Sequence, residues 1–155
     1  MKPLLVIGLG NPLMGDEGIG WHVAECLSVD PRLPAGAEVV CGGTDLLRYA
    51  ARMEQSRRVI VIDALRDDAA PGSVWAFEEP GGAGDSACRP GLDNCQENAH
   101  CLSAVQAIQL LRMTVPAPIT LLGISVPCAK AQTGLSPELA ARMPAILERV
   151  LRELG

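Results

Sequence analysis

Glu17, Asp63 and His100 form the set of side chains in this sequence best suited to chemistry: two carboxylates and one imidazole. A mixed oxygen and nitrogen donor set of this kind suits zinc, nickel or manganese better than calcium, which prefers oxygen alone. Each residue also has a plainer reading. Glu17 would favour the positive end of a helix by its charge alone. Asp63 could cap a turn through its side chain, and His100 could be an ordinary surface or capping histidine. Taken jointly the plain readings weaken, because separate reasons rarely gather three ligand-type residues around one crevice. Whether they gather depends on the elements that carry them.

Those elements follow from hydrophobic patterning. Leu4-Leu5-Val6-Ile7 is a short apolar run ending at Gly8-Leu9-Gly10, a buried strand meeting a tight turn. A helix is expected from about Gly18 to Leu27. Ala37 to Cys41 reads as a second strand, stopped by Gly42-Gly43, with Thr44 placed to cap the next helix and Asp45 in its first turn. Val59-Ile60-Val61-Ile62 is four β-branched residues without alternation, as expected of a strand covered on both faces, and it is read as ending at Asp63. Ser73 to Phe77 is a weaker strand suited to an edge. Glu78 to Ala99 is dominated by Gly, Pro and polar residues and reads as a long loop, with a helix restarting near His100. Ile119 to Ile124 is a fifth strand. Ser136-Pro137 opens a final helix, whose apolar positions from Leu139 to Leu154 keep a 3.6-residue period; Pro144 falls inside it.

Strands alternating with helices predict an α/β fold, a three-layer α/β/α sandwich around a mostly parallel, twisted five-stranded sheet, in a single domain over 1–155. In such sheets ligands bind outside the carboxyl ends of the strands, where the strand order switches. Asn11, Asp16 and Glu17 follow the first strand, Gly42, Gly43 and Thr44 the second, and Asp63 the third. If the first and third strands are neighbours, Glu17 and Asp63 flank one crevice, and His100 can reach over it from the start of its helix.

Composition excludes several classes. A net charge of −5 argues against a nucleic-acid partner. No stretch approaches the ~20 apolar residues of a membrane span, and the start of the chain lacks the pattern of a signal peptide, so a cytoplasmic location is expected. With four aromatic residues in all, the core must be aliphatic. The six cysteines, Cys26, Cys41, Cys88, Cys95, Cys101 and Cys128, form no CxxC pair and are read as reduced thiols. Cys88, Cys95 and Cys101 lie near His100 in sequence, but their spacing fits no common zinc module. A dinucleotide reading of the first turn fails, because Leu13 stands where the third glycine of GxGxxG belongs and Asp16 and Glu17 would face a pyrophosphate. His22, the second histidine, is read as an uninvolved helix-face residue.

The stretch Gly8-Leu9-Gly10-Asn11-Pro12-Leu13-Met14-Gly15-Asp16-Glu17-Gly18-Ile19-Gly20 resembles the opening motif of the hydrogenase maturation proteases, GxGNxLxxD(D/E)GxG. Gly42-Gly43-Thr44 is similar to that family's GGT after strand two, Val61-Ile62-Asp63-Ala64 to its Asp-Ala ending strand three, and His100 to its helix-opening histidine. Gly123-Ile124 and Gly134-Leu135-Ser136 match its last strand and final helix. The resemblance implies an endopeptidase that removes a C-terminal extension from the large-subunit precursor of NiFe-hydrogenase after nickel insertion. It implies that Glu17, Asp63 and His100 contact the nickel borne by that precursor and serve in catalysis, with zinc or cadmium able to substitute in crystals. The segment between Glu79 and Ala99 matches no part of the family pattern. Two rivals share features with this reading. Peptidyl-tRNA hydrolase has the same Gly-Leu-Gly-Asn-Pro turn, but Gly20-Trp21-His22-Val23 lacks the Arg and Asn its site needs, and the acidic charge opposes a tRNA ligand. A non-cleaving chaperone of the hydrogenase precursor would use the same residues as the protease.

Overall fold

The computed structural model describes residues 2–67, 69–78, 104–127 and 134–155. Its five strands are β1 (Leu4–Leu9), β2 (Ala37–Gly43), β3 (Arg58–Arg66), β4 (Val74–Glu78) and β5 (Ile119–Val126). The helices are α1 (Ile19–Ser28), α2 (Ala50–Glu54), α3 (Ala104–Leu111) and α4 (Pro137–Leu154). The sheet order is β2-β1-β3-β5-β4. β2, β1, β3 and β5 are mutually parallel, and β4 lies antiparallel on β5 at one edge, where the weaker apolar run belongs.

The unbroken apolar runs are explained by burial on both faces. Every residue of β1 and of β5 is buried. Leu5, Ile7, Val59, Val61, Leu65, Ile119 and Leu121 pack towards Met53 of α2 and Val105, Ile108 and Leu111 of α3. Leu4, Val6, Ile60, Ile62, Leu122 and Ile124 pack the opposite way, onto Ile19, Val23 and Leu27 of α1 and Leu139, Ile146 and Val150 of α4. The strand alternation therefore feeds two aliphatic layers, as a sheet clad in helices requires.

Three local expectations are corrected. β3 continues past Asp63 to Arg66, because β5 goes on pairing with it, Leu65 opposite Ser125 and Arg66 opposite Val126. Asp45, not Thr44, caps the turn before α2: its carboxylate accepts from Leu47 N–H at 3.1 Å. That segment starts as a 3-10 turn over Leu46–Tyr49 and reaches α-helical geometry only over the five residues of α2. The final helix is as expected, with Ser136 Oγ accepting from Leu139 N–H and Pro137 in the first turn.

Strand order reverses between β1 and β3. From β1 the chain moves outward to β2, then returns past β1 to β3. α1 is pressed onto this point. A Cβ on Gly8 would lie 2.1 Å from Gly20 O and 2.5 Å from Ala24 Cβ, and one on Gly20 would lie 2.4 Å from Ile62 O. Neither neighbour can yield, since both are backbone or the first atom of a helix side chain. Gly8→Ala should therefore lift α1 off the sheet and cost about 2–3 kcal/mol, read as a fall in the chemical-denaturation midpoint at an unchanged slope. An unaltered midpoint would show that the helix is less firmly seated than this packing requires.

Candidate active site

The turn that follows β1 is built to deliver Glu17 to the switch point. Asn11 Oδ1 accepts from Leu13 N–H at 2.9 Å, Asn11 O accepts from Met14 N–H, and Gly10 N–H donates to Gly43 O at 2.8 Å. Gly10 has a positive φ of 129°, and a Cβ there would sit 2.7 Å from Glu17 O. A Cβ on Gly18 would sit 2.6 Å from Asn11 O. The glycines of the first motif thus fold a short 3-10 segment, Gly15–Gly18, back over the strand ends and against β3, rather than cradle a phosphate.

Asp16 and Glu17 take opposite roles in that segment. Asp16 is buried, and its Oδ1 accepts from Ser136 N–H at 2.7 Å, so it ties the first turn to the residue that caps α4. Glu17 is half-buried and ion-paired with Arg66 at the end of β3. Asp16→Leu leaves the Ser136 N–H without its partner in a partly closed environment. It should cost about 1–3 kcal/mol, measured by thermal melt. Asp16→Asn, which keeps an acceptor oxygen, should recover most of the loss; equal losses for the two would show that the amide bond is not the cause.

Asp63 lies between Val61 and Leu65 on β3, and its alternation turns it to the α2 and α3 side of the sheet. It is paired in register with Gly123 of β5 and sits one residue past the last β1–β3 pair, Gly8 with Ile62. Burial pushes its carboxyl from an ordinary 3.8 up to about 6, and the hydrogen bond from Ala64 N–H, at 2.8 Å, offsets only part of that. A partly buried carboxylate that has lost much of its water and has, among the described residues, one neutral donor is poised to gain from a cation.

Glu17 and Asp63 therefore border the same carboxyl-end edge of the sheet, on either side of the strand-order switch. His100 lies outside the described residues, as do Cys88, Cys95, Cys101 and Cys128. Among the described residues no three His, Cys, Asp or Glu side chains are grouped closely enough to hold a metal ion. His22 is half-buried on α1, edge-to-face with Trp21 at 5.4 Å between ring centroids, and its Nε2 is enclosed with no hydrogen-bond partner among the described residues. Burial pushes the Cys26 and Cys41 thiols upward, with Glu25 adding to both, so neither is an activated nucleophile. Arg66 lies outside every motif of the sequence, and the motif does not say which of Asp16 and Glu17 faces the site. Arg66 was hidden because the apolar run of strand three stops before Asp63. Asp16 has the residue type of a ligand but spends its carboxylate on the backbone.

The fold and this edge define an α/β protein with two carboxylates beside the switch point of a mostly parallel sheet, and its relatives share the fold. The family model of the HycI hydrogenase maturation proteases matches residues 21–153, and this chain belongs to the hydrogenase maturation proteases, a family of endopeptidases. It is 29% identical to the hydrogenase 2 maturation protease of Escherichia coli over 154 residues, 97% of this chain and 90% of that protein. The structure of the hydrogenase maturating endopeptidase HybD from E. coli superposes with a TM-score of 0.75 at 30% identity, covering 99% of this chain and 94% of HybD. The NiFe-hydrogenase maturation protease HybD from Thermococcus kodakarensis gives 0.70 at 25% identity, over 99% of each chain. With agreement across the whole chain, the tRNA hydrolase and chaperone readings have no support. Among the described residues no helix is long and apolar enough to cross a membrane.

Proposed function

We propose that this protease removes the C-terminal extension of a NiFe-hydrogenase large-subunit precursor once nickel has been inserted. Glu17, Asp63 and His100 are its contacts to the nickel that the precursor carries. The observation that carries this reading is the desolvated Asp63 carboxyl at the same sheet edge as Glu17. A precursor-bound divalent ion would supply the positive charge that Asp63 lacks, and binding it would bring the chain to be cut up against the crevice. Ions of the zinc or cadmium type should occupy the same contacts in crystals. On this reading the protease meets its precursor in the cytoplasm, where nickel insertion would precede cleavage.

In this scheme the two carboxylates would hold the substrate's ion, and Lewis-acid polarisation of the adjoining carbonyl or of a water molecule is the chemistry it would supply there. Protons compete with the ion for the Asp63 carboxylate, so engagement should strengthen as pH rises through about 6. The test is to incubate the protein with nickel-loaded and nickel-free precursor and follow the large subunit's mass on a gel. Shortening of the loaded precursor alone supports the proposal. Binding without shortening would make the protein a chaperone, and equal shortening of both forms would remove nickel from the recognition step.

A further inference from the structure

Glu17 already has a cationic partner. Its carboxylate pairs with the guanidinium of Arg66, three residues beyond Asp63 on β3, with the two side chains only 24% and 27% exposed. An ion pair withdrawn this far from solvent is screened less than a surface pair. By strand alternation Arg66 falls on the α1 and α4 side and Asp63 on the other, so the pair draws Glu17 away from Asp63's side of the sheet. A guanidinium offers no lone pair and cannot itself join a metal's ligand shell. While in contact it occupies Glu17 Oε1, an oxygen that a metal would use, and it repels any cation approaching the carboxylate.

We propose that Arg66 is a positioning residue, a built-in counter-cation that holds Glu17 in the free protein and must be displaced by the substrate's divalent ion. The inference rests on reading Glu17 as a contact to that ion. Its consequence is a threshold. The extra positive charge of a divalent ion lets it exchange with Arg66, whereas a monovalent ion or a precursor tail without metal has little to offer Glu17. Free trace metal is held weakly for the same reason, which favours metal presented by a precursor that adds its own contacts.

The experiment is calorimetric titration of the full-length protein with nickel ion, for wild type, Arg66→Met, Arg66→Lys, Glu17→Gln and the double variant Arg66→Met with Glu17→Gln. Arg66→Met should bind nickel about tenfold more tightly, while Arg66→Lys, which keeps the charge, stays near wild type. The gain should vanish in the Glu17→Gln background, which separates this site from any binding by cysteines. In processing of nickel-loaded precursor the Arg66→Met effect should fall on KM. Should Arg66→Met melt early, Arg66→Gln carries the same comparison, since it keeps a donor towards Glu17 without the charge. Nickel affinity no tighter in the neutral variants than in wild type would overturn the proposal while leaving Glu17 as a contact. Unchanged affinity in Glu17→Gln alone would overturn the reading of Glu17 itself, and the proposal with it.

Discussion

Glu17→Gln should lose precursor processing by more than about a hundredfold while remaining folded. The substitution keeps the side chain's size and one acceptor oxygen but removes the negative charge, and a neutral amide is a far poorer ligand for a divalent ion. Changes to groups that merely support a metal ligand lower affinity by about 10–100-fold, so loss of the ligand itself should exceed that range. Stability changes little, because the amide oxygen of Gln can still accept from the Arg66 guanidinium, so the contact loses its charge but not its hydrogen-bonding geometry. His100→Ala should match the loss of processing, whereas His22→Ala, which alters a ring packed on Trp21, should process normally. Each variant would be mixed with nickel-loaded precursor and the large subunit followed by gel shift, with a thermal melt run in parallel. Full processing by Glu17→Gln would defeat the proposed mechanism. A dead His22→Ala beside an active His100→Ala would move the chemistry to the helix after the first turn.

The second large effect has two parts of opposite sign. Asp63→Asn should abolish processing and also make the free protein more stable at neutral pH. Asp63 ionises near 6 in the folded protein and near 3.8 when unfolded, so the folded state holds its proton more tightly. Stability therefore falls as pH rises between those values, and above about 6 the folded protein carries the whole penalty of a desolvated charge. The difference corresponds to about 3 kcal/mol, which Asn, being neutral, does not incur. Melting at pH 8 should rise by about 5–10 °C in Asp63→Asn, and the two proteins should converge below about pH 4, where Asp63 is protonated in both states. A variant that is less stable than wild type at pH 8, or a gap that is independent of pH, would show that Asp63 is not a desolvated charge. Loss of activity with gain of stability is the signature of a group kept for its ligand rather than for the fold.

Local pattern alone carries much of this architecture. The unbroken apolar runs at Leu4–Ile7, Val59–Ile62 and Ile119–Ile124 become strands buried on both faces, and the 3.6-residue period from Leu139 onwards becomes α4. The weak fourth run becomes the antiparallel edge. The sequence also points to the sheet edge where Glu17 and Asp63 lie, because strand-end residues follow directly from strand assignment. Where β3 stops is a different matter. Asp63 and Arg66 interrupt its apolar run, yet the ladder with β5 extends the strand through both, since backbone hydrogen bonds do not depend on side-chain polarity.

Which carboxylate does what was decided by tertiary structure. Asp16 and Glu17 are adjacent carboxylates, and nothing local distinguishes them. Asp16 meets a backbone N–H 120 residues away, and Glu17 meets an arginine that only β3's full length brings within reach. The raised ionisation of Asp63 likewise has no counterpart in its sequence neighbours, because it arises from water excluded by packed layers. The motif's glycines belong to both levels: their positions are plain in the sequence, but their reason, the close approach of Gly8 to Gly20 and of Gly10 to Glu17, exists only once the chain is folded. Periodicity and turn chemistry act over a few residues and are written in the sequence. Desolvation and charge pairing act between residues distant along the chain, and the packed structure decides them.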